Sequence, residues 1–218
     1  MGDSPLNFRG EVVILQKLNL VIRKGATVRI PIRIESGEWD YAQITTIENT
    51  APVRITAPSH GIPDGWRAAV MNAKGLVDLN AENNPPKDAE LRKITRIDGN
   101  TVEINDINAA GFKAHVENTG QLAFRKPLIL SSYVSARMDV KDKIDGTVIA
   151  TFKTQDGTLE IDLASDAIWL SLTPVQSTLP VKAYVADIEL MTADGKTFPI
   201  CKADSAFVVE PETTTTTE

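Results

Sequence analysis

Three of the five Asp-Gly pairs, set between runs of alternating apolar residues, restrict this chain more than any other feature. They stand in "DGN" (98–100), "QDGT" (155–158) and "ADGK" (193–196). Asp-Gly favours the positive φ angles of tight hairpins. The flanking runs alternate with period two, which places their apolar residues on one face of a strand. In "ATVRIPIRI" (26–34), Val28, Ile30, Ile32 and Ile34 share a face, and Pro31 predicts an edge or a bulge because it lacks an N–H. "YVSARMDV" predicts Val134, Ala136, Met138 and Val140 inward. "TLEIDL" predicts Leu159, Ile161 and Leu163, and "AYVADIEL" predicts Tyr184, Ala186, Ile188 and Leu190. Helical signals are confined to one possible turn in "LTPVQSTLP" (172–180), and Pro85 and Pro86 make "NAENNPPKDAEL" (80–91) a loop. The expected fold is all-β.

Texture changes along the chain. Residues 50–125 are richer in Asn, His, Gly and loop residues, whereas 17–49 and 126–210 read as regular strands. The expected organisation is a small Ig-like β-sandwich (17–49 and 126–210) interrupted by a β-barrel domain (50–125). An N-terminal arm (1–16) precedes it and a Thr-rich tail (211–218) follows. With 23 basic and 29 acidic residues the net charge is −6, which argues against a nucleic-acid backbone as partner. No window approaches ~18 consecutive apolar residues, so no membrane span is expected, and the N-terminus lacks a signal-peptide pattern. Cys201 is the single cysteine, which rules out an intrachain disulfide and a Cys-based zinc site. It reads as a small half-buried hydrophobe.

Candidate chemistry begins with "ITAPSHGIPDGW" (55–66), which holds one of two histidines. His60 and His115 could share a metal with Asp64 or Asp106, but 55 residues separate them and no short spacing makes a preformed grip. The simpler expectation is that His60 accommodates the unusual backbone before Gly61 or bonds a nearby carbonyl. "INDIN" (104–108), with Asp98 and Asn100, has oxygen ligands but not the spacing of a calcium loop. "DVKDKID" (139–145) reads as a solvated face with weak ion pairs. No Gly-rich phosphate loop joins a strand to a helix, and no carboxylate pair is singled out for glycoside hydrolysis. Catalytic, metal and cofactor-binding residues are all read as none, and the chain is read as not an enzyme. Trp39, Trp66 and Trp169, with Pro31 at a sheet edge, are the candidate interface residues, since interface cores favour Trp. The edge at Pro31 and the segment 197–209 are expected to be open for pairing with a neighbouring chain.

Two resemblances accompany this reading. "ITAPSHGIPDGWRAAV", "GLVDLN" and "ITRIDGNTVEINDINAAGFKAH" resemble a repeat of bacteriophage structural proteins. That repeat is similar to the first catalytic cysteine half-domain of ubiquitin-activating enzymes, a small β-barrel without catalysis of its own. The matching residues are His60, Gly61, Asp64, Gly65, Leu79, Asn80, Gly111 and Phe112. The flanks resemble the N-terminal domain of phage baseplate upper proteins. There the match rests on Tyr133, Ala136, Arg137, Met138, Lys141, Asp142, Lys143, Leu179, Pro180, Asp187, Glu189 and Leu190. The resemblances imply a multi-copy structural part of a tailed-phage virion, in the tail, baseplate or neck. It would be made in the bacterial host cytoplasm and bound to other virion proteins and to copies of itself. A receptor- or glycan-binding module with Trp66 as platform, or a capsid decoration protein, is the alternative.

Overall fold

The alternating runs form strands throughout the computed structural model, which describes residues 15–212. Most of the expected N-terminal arm and of the Thr-rich tail lies outside the described residues. The first strands are β1 (Asn19–Arg23), β2 (Val28–Ile32) and β3 (Glu35–Gln43). They are followed by β4 (Thr46–Glu48), β5 (Val53–Thr56), β6 (Arg67–Met71), β7 (Arg92–Arg96), β8 (Thr101–Ile104) and β9 (Gln121–Pro127). The rest are β10 (Tyr133–Lys141), β11 (Val148–Lys153), β12 (Leu159–Asp162), β13 (Ala167–Leu172), β14 (Lys182–Thr192), β15 (Thr197–Pro199) and β16 (Ala206–Glu210). The chain is all-β and divides into two compact units. One runs to Gly37 and resumes at Pro127; the other is Glu38–Lys126. The second unit thus begins at Glu38, ahead of the expected residue 50, because β3 continues unbroken from one unit into the other.

The discontinuous unit is a sandwich of two sheets. The larger has the order β1-β16-β14-β10-β11, with β15 also on β14, and the smaller is β12-β13-β2. Register explains the core. Val28 stands opposite Leu172, Ile30 opposite Leu170 and Ile32 opposite Ile168, and the last two pair onward with Leu159 and Ile161. In the larger sheet Met138 faces Ile188, Ala136 faces Leu190 and Val140 faces Ala186. These rows merge in one apolar cluster with Phe207, each large side chain contributing about 1.5–3 kcal/mol on burial.

Several local expectations give way to pairing. The Asp-Gly at 156–157 is not a hairpin. A 3-10 turn (Thr154–Asp156) and Gly157 at φ 74° carry the chain from β11 in the larger sheet to β12 in the smaller. The pairs at 98–99 and 194–195 do close hairpins, β7–β8 and β14–β15. Val134 is 58% exposed rather than inward, because the β10–β14 register shifts between Tyr133 and Ser135. Such a bulge re-aims a side chain. Leu163 is 56% exposed because β12 ends at Asp162. Segment 197–209 is open only in part: β16 is held between β14 and β1, whereas β15, among the described residues, pairs with β14 alone. Pro31 does lie on an edge strand, since among the described residues β2 pairs only with β13.

The Glu38–Lys126 unit holds most of a seven-stranded sheet of order β3-β9-β6-β7-β8-β5-β4. Strands β3 and β4 occupy its opposite ends, yet only Ile44 and Thr45 separate them. Three residue steps span at most about 11 Å, so the sheet must curl until its ends meet at this corner. The backbone bonds agree: Ile44 N–H donates to Gly120 C=O ahead of β9, and Thr45 N–H donates to Thr56 C=O of β5. The enclosed core includes Ile55, Ile62, Ile94, Ile104, Leu122 and Trp66.

Candidate functional site

His60 sits where β5 gives way to the loop before β6, and both of its ring nitrogens are committed to backbone. Nδ1 accepts from Ile62 N–H at 2.9 Å, and Nε2 lies 3.1 Å from Asp98 C=O, which requires Nε2 to carry the proton. Asn100 Oδ1 accepts from Ser59 N–H, and Asp64 Oδ1 accepts from Arg96 N–H. The stretch 55–66 is therefore a clamp on the β7–β8 hairpin. The expected bond to a nearby carbonyl is present.

Burial holds the His60 imidazole below its ordinary pKa, and the Arg96 charge adds to this, against opposing contributions from the Asp98 carbonyl and carboxylate. The unfolded chain takes up this proton near pH 6.5 and the folded chain only at lower pH. Stability from the neutral clamp is thus present above about pH 6.5 and is lost as pH falls through the folded pKa. Protonation would also turn Nδ1 into a donor facing the Ile62 N–H. We expect His60 to titrate below 6.5 by imidazole NMR and the urea midpoint to drop between pH 7 and pH 5. His60→Asn should remove that part of the drop. An imidazole titrating at or above 6.5 would contradict the assignment.

His115 is likewise structural. Its Nδ1 accepts from Ile47 N–H at 3.2 Å and its Nε2 lies 2.9 Å from Thr119 C=O. Thr119 Oγ1 is 3.3 Å from the same nitrogen but gives its proton to Val116 C=O at 2.6 Å, so the imidazole does not activate it. Neither histidine is joined with carboxylates: among the described residues no group of three or more His, Cys, Asp or Glu could hold a metal ion. In "INDIN", Asn105 donates to Thr95 Oγ1, Asp106 lies 3.5 Å from Arg92, and Asn108 caps Ala110 N–H. Cys201 is buried, with Sγ accepting from Ile188 N–H at 3.1 Å and lying 3.6 Å from Ala186 C=O. Burial raises its thiol pKa, which keeps it protonated and inert.

The three tryptophans have different fates. Trp66 is 3% exposed, and its Nε1 donates to Arg125 C=O at 2.7 Å. It is a core residue of its unit and offers no platform for a sugar or a partner. This corrects its reading as an interface residue, which rested on the preference of interface cores for Trp, a preference that buried cores share. Trp39 is half-buried under the Arg125 guanidinium, 4.4 Å from the ring centroid. Trp169 points outward as the alternation requires, with Arg29 4.5 Å over its ring and Nε1 bonded to Asp162 and Ser165. Pro31 is its cross-strand neighbour, so Pro31 and Trp169 come together on the outer face of the small sheet. These cation–π pairs contribute roughly 0.5–1 kcal/mol at exposed sites.

Two surface features had no signal in the sequence. One is a groove of about 570 Å³ beside β12, between Val134 and Leu163. The other is a polar cleft of about 450 Å³ under the 77–91 loop. Glu90 organises that loop by accepting from the N–H groups of Glu82, Asn83 and Lys87, which pull its carboxyl down to about 2. Both features arise from strand ends that meet only in the folded chain. No protein-family model matches the chain, and no curated protein matches it.

Proposed function

We propose that this chain is a structural component of a tailed-bacteriophage virion. It would be a multi-copy tail, baseplate or neck protein that anchors or connects fibres through protein–protein contacts. The observation that carries the reading is the double resemblance in the sequence. The residues of the barrel-like repeat, from His60 to Phe112, fall in one compact unit, and those of the baseplate-like segment, from Tyr133 to Leu190, fall in the other. Several of these residues serve the fold of their unit, as expected of a stiff structural part. His60 clamps a hairpin, Asp64 caps Arg96 N–H, and the Asn80 amide both donates to and accepts from Ala73 backbone. On this reading the chain works by presenting stiff β surfaces in repeated copies. A glycan-binding alternative loses its platform with Trp66 in the core.

Immunogold labelling of intact particles of the parent phage, with antibody against Glu38–Lys126, tests the proposal. Gold at the tail or the head–tail junction is expected. Gold spread over the capsid would make the chain a decoration protein. Its absence from purified virions by mass spectrometry would overturn the reading.

A further inference from the structure

Among the described residues β12 pairs with β13 alone, and its open side differs from the edges at β2 and β11. Strand β2 carries Pro31, and β11 is irregular where Lys141 pairs with Val148 after Val140 pairs with Ala150. Prolines and bulges blunt an edge against pairing. Strand β12 has neither. Its bonding parity follows from one contact: Ser171 N–H donates to Thr158 C=O at 2.9 Å. The opposite pairs Glu160–Trp169 and Asp162–Ala167 then share the ladder bonds with β13. Leu159 and Ile161 turn their N–H and C=O groups away from β13, toward the groove of about 570 Å³. Its rim carries Val134 and Leu163, exposed at 58% and 56%.

We propose that this edge receives an extended segment of another protein, one that alternates apolar and basic residues and adds a strand beside β12. Its apolar side chains would enter the groove over Val134 and Leu163. Its basic side chains would lie on the opposite face, where Glu160 and Asp162 stand. Glu160 stands at the border of that face and the groove, where it is the one charged lining residue among the described residues, and its ion pair with Arg29 is long, at 3.6 Å, and exposed on both sides. Such pairs are weak, so the carboxylate can take a second cation. A second copy of this chain is disfavoured at the same edge. Two β12 strands set antiparallel would bring Glu160 and Asp162 against their own counterparts, and like charges across strands are destabilising. Strand addition of this kind draws affinity from main-chain bonds and specificity from alternate side chains. The inference rests on this geometry and not on the virion reading.

The probe is a capped six-residue peptide of alternating valine and lysine, titrated into the full chain and followed by amide NMR. Saturable binding is expected, with the Leu159 and Ile161 amides gaining protection from hydrogen exchange. A valine–glutamate peptide should bind roughly fivefold more weakly. Ile161→Pro removes one outward donor from an edge strand and should abolish binding while the circular dichroism spectrum is unchanged. Glu160→Lys should reverse the preference between the two peptides, and it carries the test if Ile161→Pro does not fold. Absent binding, equal binding of both peptides, or protection at other strands would overturn the proposal. So would dimers of the protein alone that protect these two amides, since the occupant would then be a second copy.

Discussion

Trp66→Ala lowers the stability of the Glu38–Lys126 unit by about 3–5 kcal/mol, the range for truncating a large buried aromatic. The indole is 3% exposed and packs in one cluster with Ile62, Ile94 and Phe124. Its backbone is committed as well, since Ile94 N–H donates to Trp66 C=O at 2.8 Å. Truncation leaves a cavity and removes the bond from Nε1 to the Arg125 carbonyl at 2.7 Å. Trp66→Phe separates the two effects. It keeps most of the apolar volume but loses the bond to the carbonyl, for a cost of about 0.5–1.5 kcal/mol. Urea denaturation read by hydrogen exchange at Ile94 and Ile104 reports on this unit, while amides of β14 report on the other. A loss below about 1 kcal/mol for Trp66→Ala would mean that the indole acts at a surface after all.

Gly75→Ala is expected to be of similar severity, for a reason found in the backbone. Gly75 has φ +82°, and a Cβ built there would lie 2.0 Å from the carbonyl oxygen of Ala114. The neighbour is main chain, held by the bond from Val116 N–H to Lys74 C=O at 2.9 Å, so it cannot swing aside as a flexible side chain would. Left-handed backbone costs an alanine roughly 1–2 kcal/mol, and forced overpacking adds roughly 1–3 kcal/mol. A combined loss of about 2–5 kcal/mol should appear as a lower urea midpoint and as faster exchange at the amides of Leu76 and Val116. Gly157→Ala is the control. It shares a positive φ of 74° but has nothing within 4 Å of the added Cβ, so only the backbone strain remains.

Much of the fold was legible because it is a local property of the chain. In β14 the residues Tyr184, Ala186, Ile188 and Leu190 are all buried, as alternation alone requires. His60 was readable as a turn residue because imidazole before Gly61 has carbonyls within reach. Other features had no local signal. Trp66 turns inward because Arg125, 59 residues away, brings a carbonyl to its nitrogen. The Asp-Gly at 156–157 becomes a corner between sheets because Leu159 finds Leu170 and not a residue of β11. The open edge at β12 belongs to the same class, since an edge is defined by the neighbour a strand lacks. The amino-acid sequence by itself determined which side chains share a face and where the backbone can reverse, because both follow from the two-residue pleat and from turn chemistry. Only the tertiary structure decided which strands became neighbours, and with them the buried indole, the free edge and the groove. Those depend on hydrogen bonds and apolar contacts between residues far apart in the chain, which no local pattern encodes.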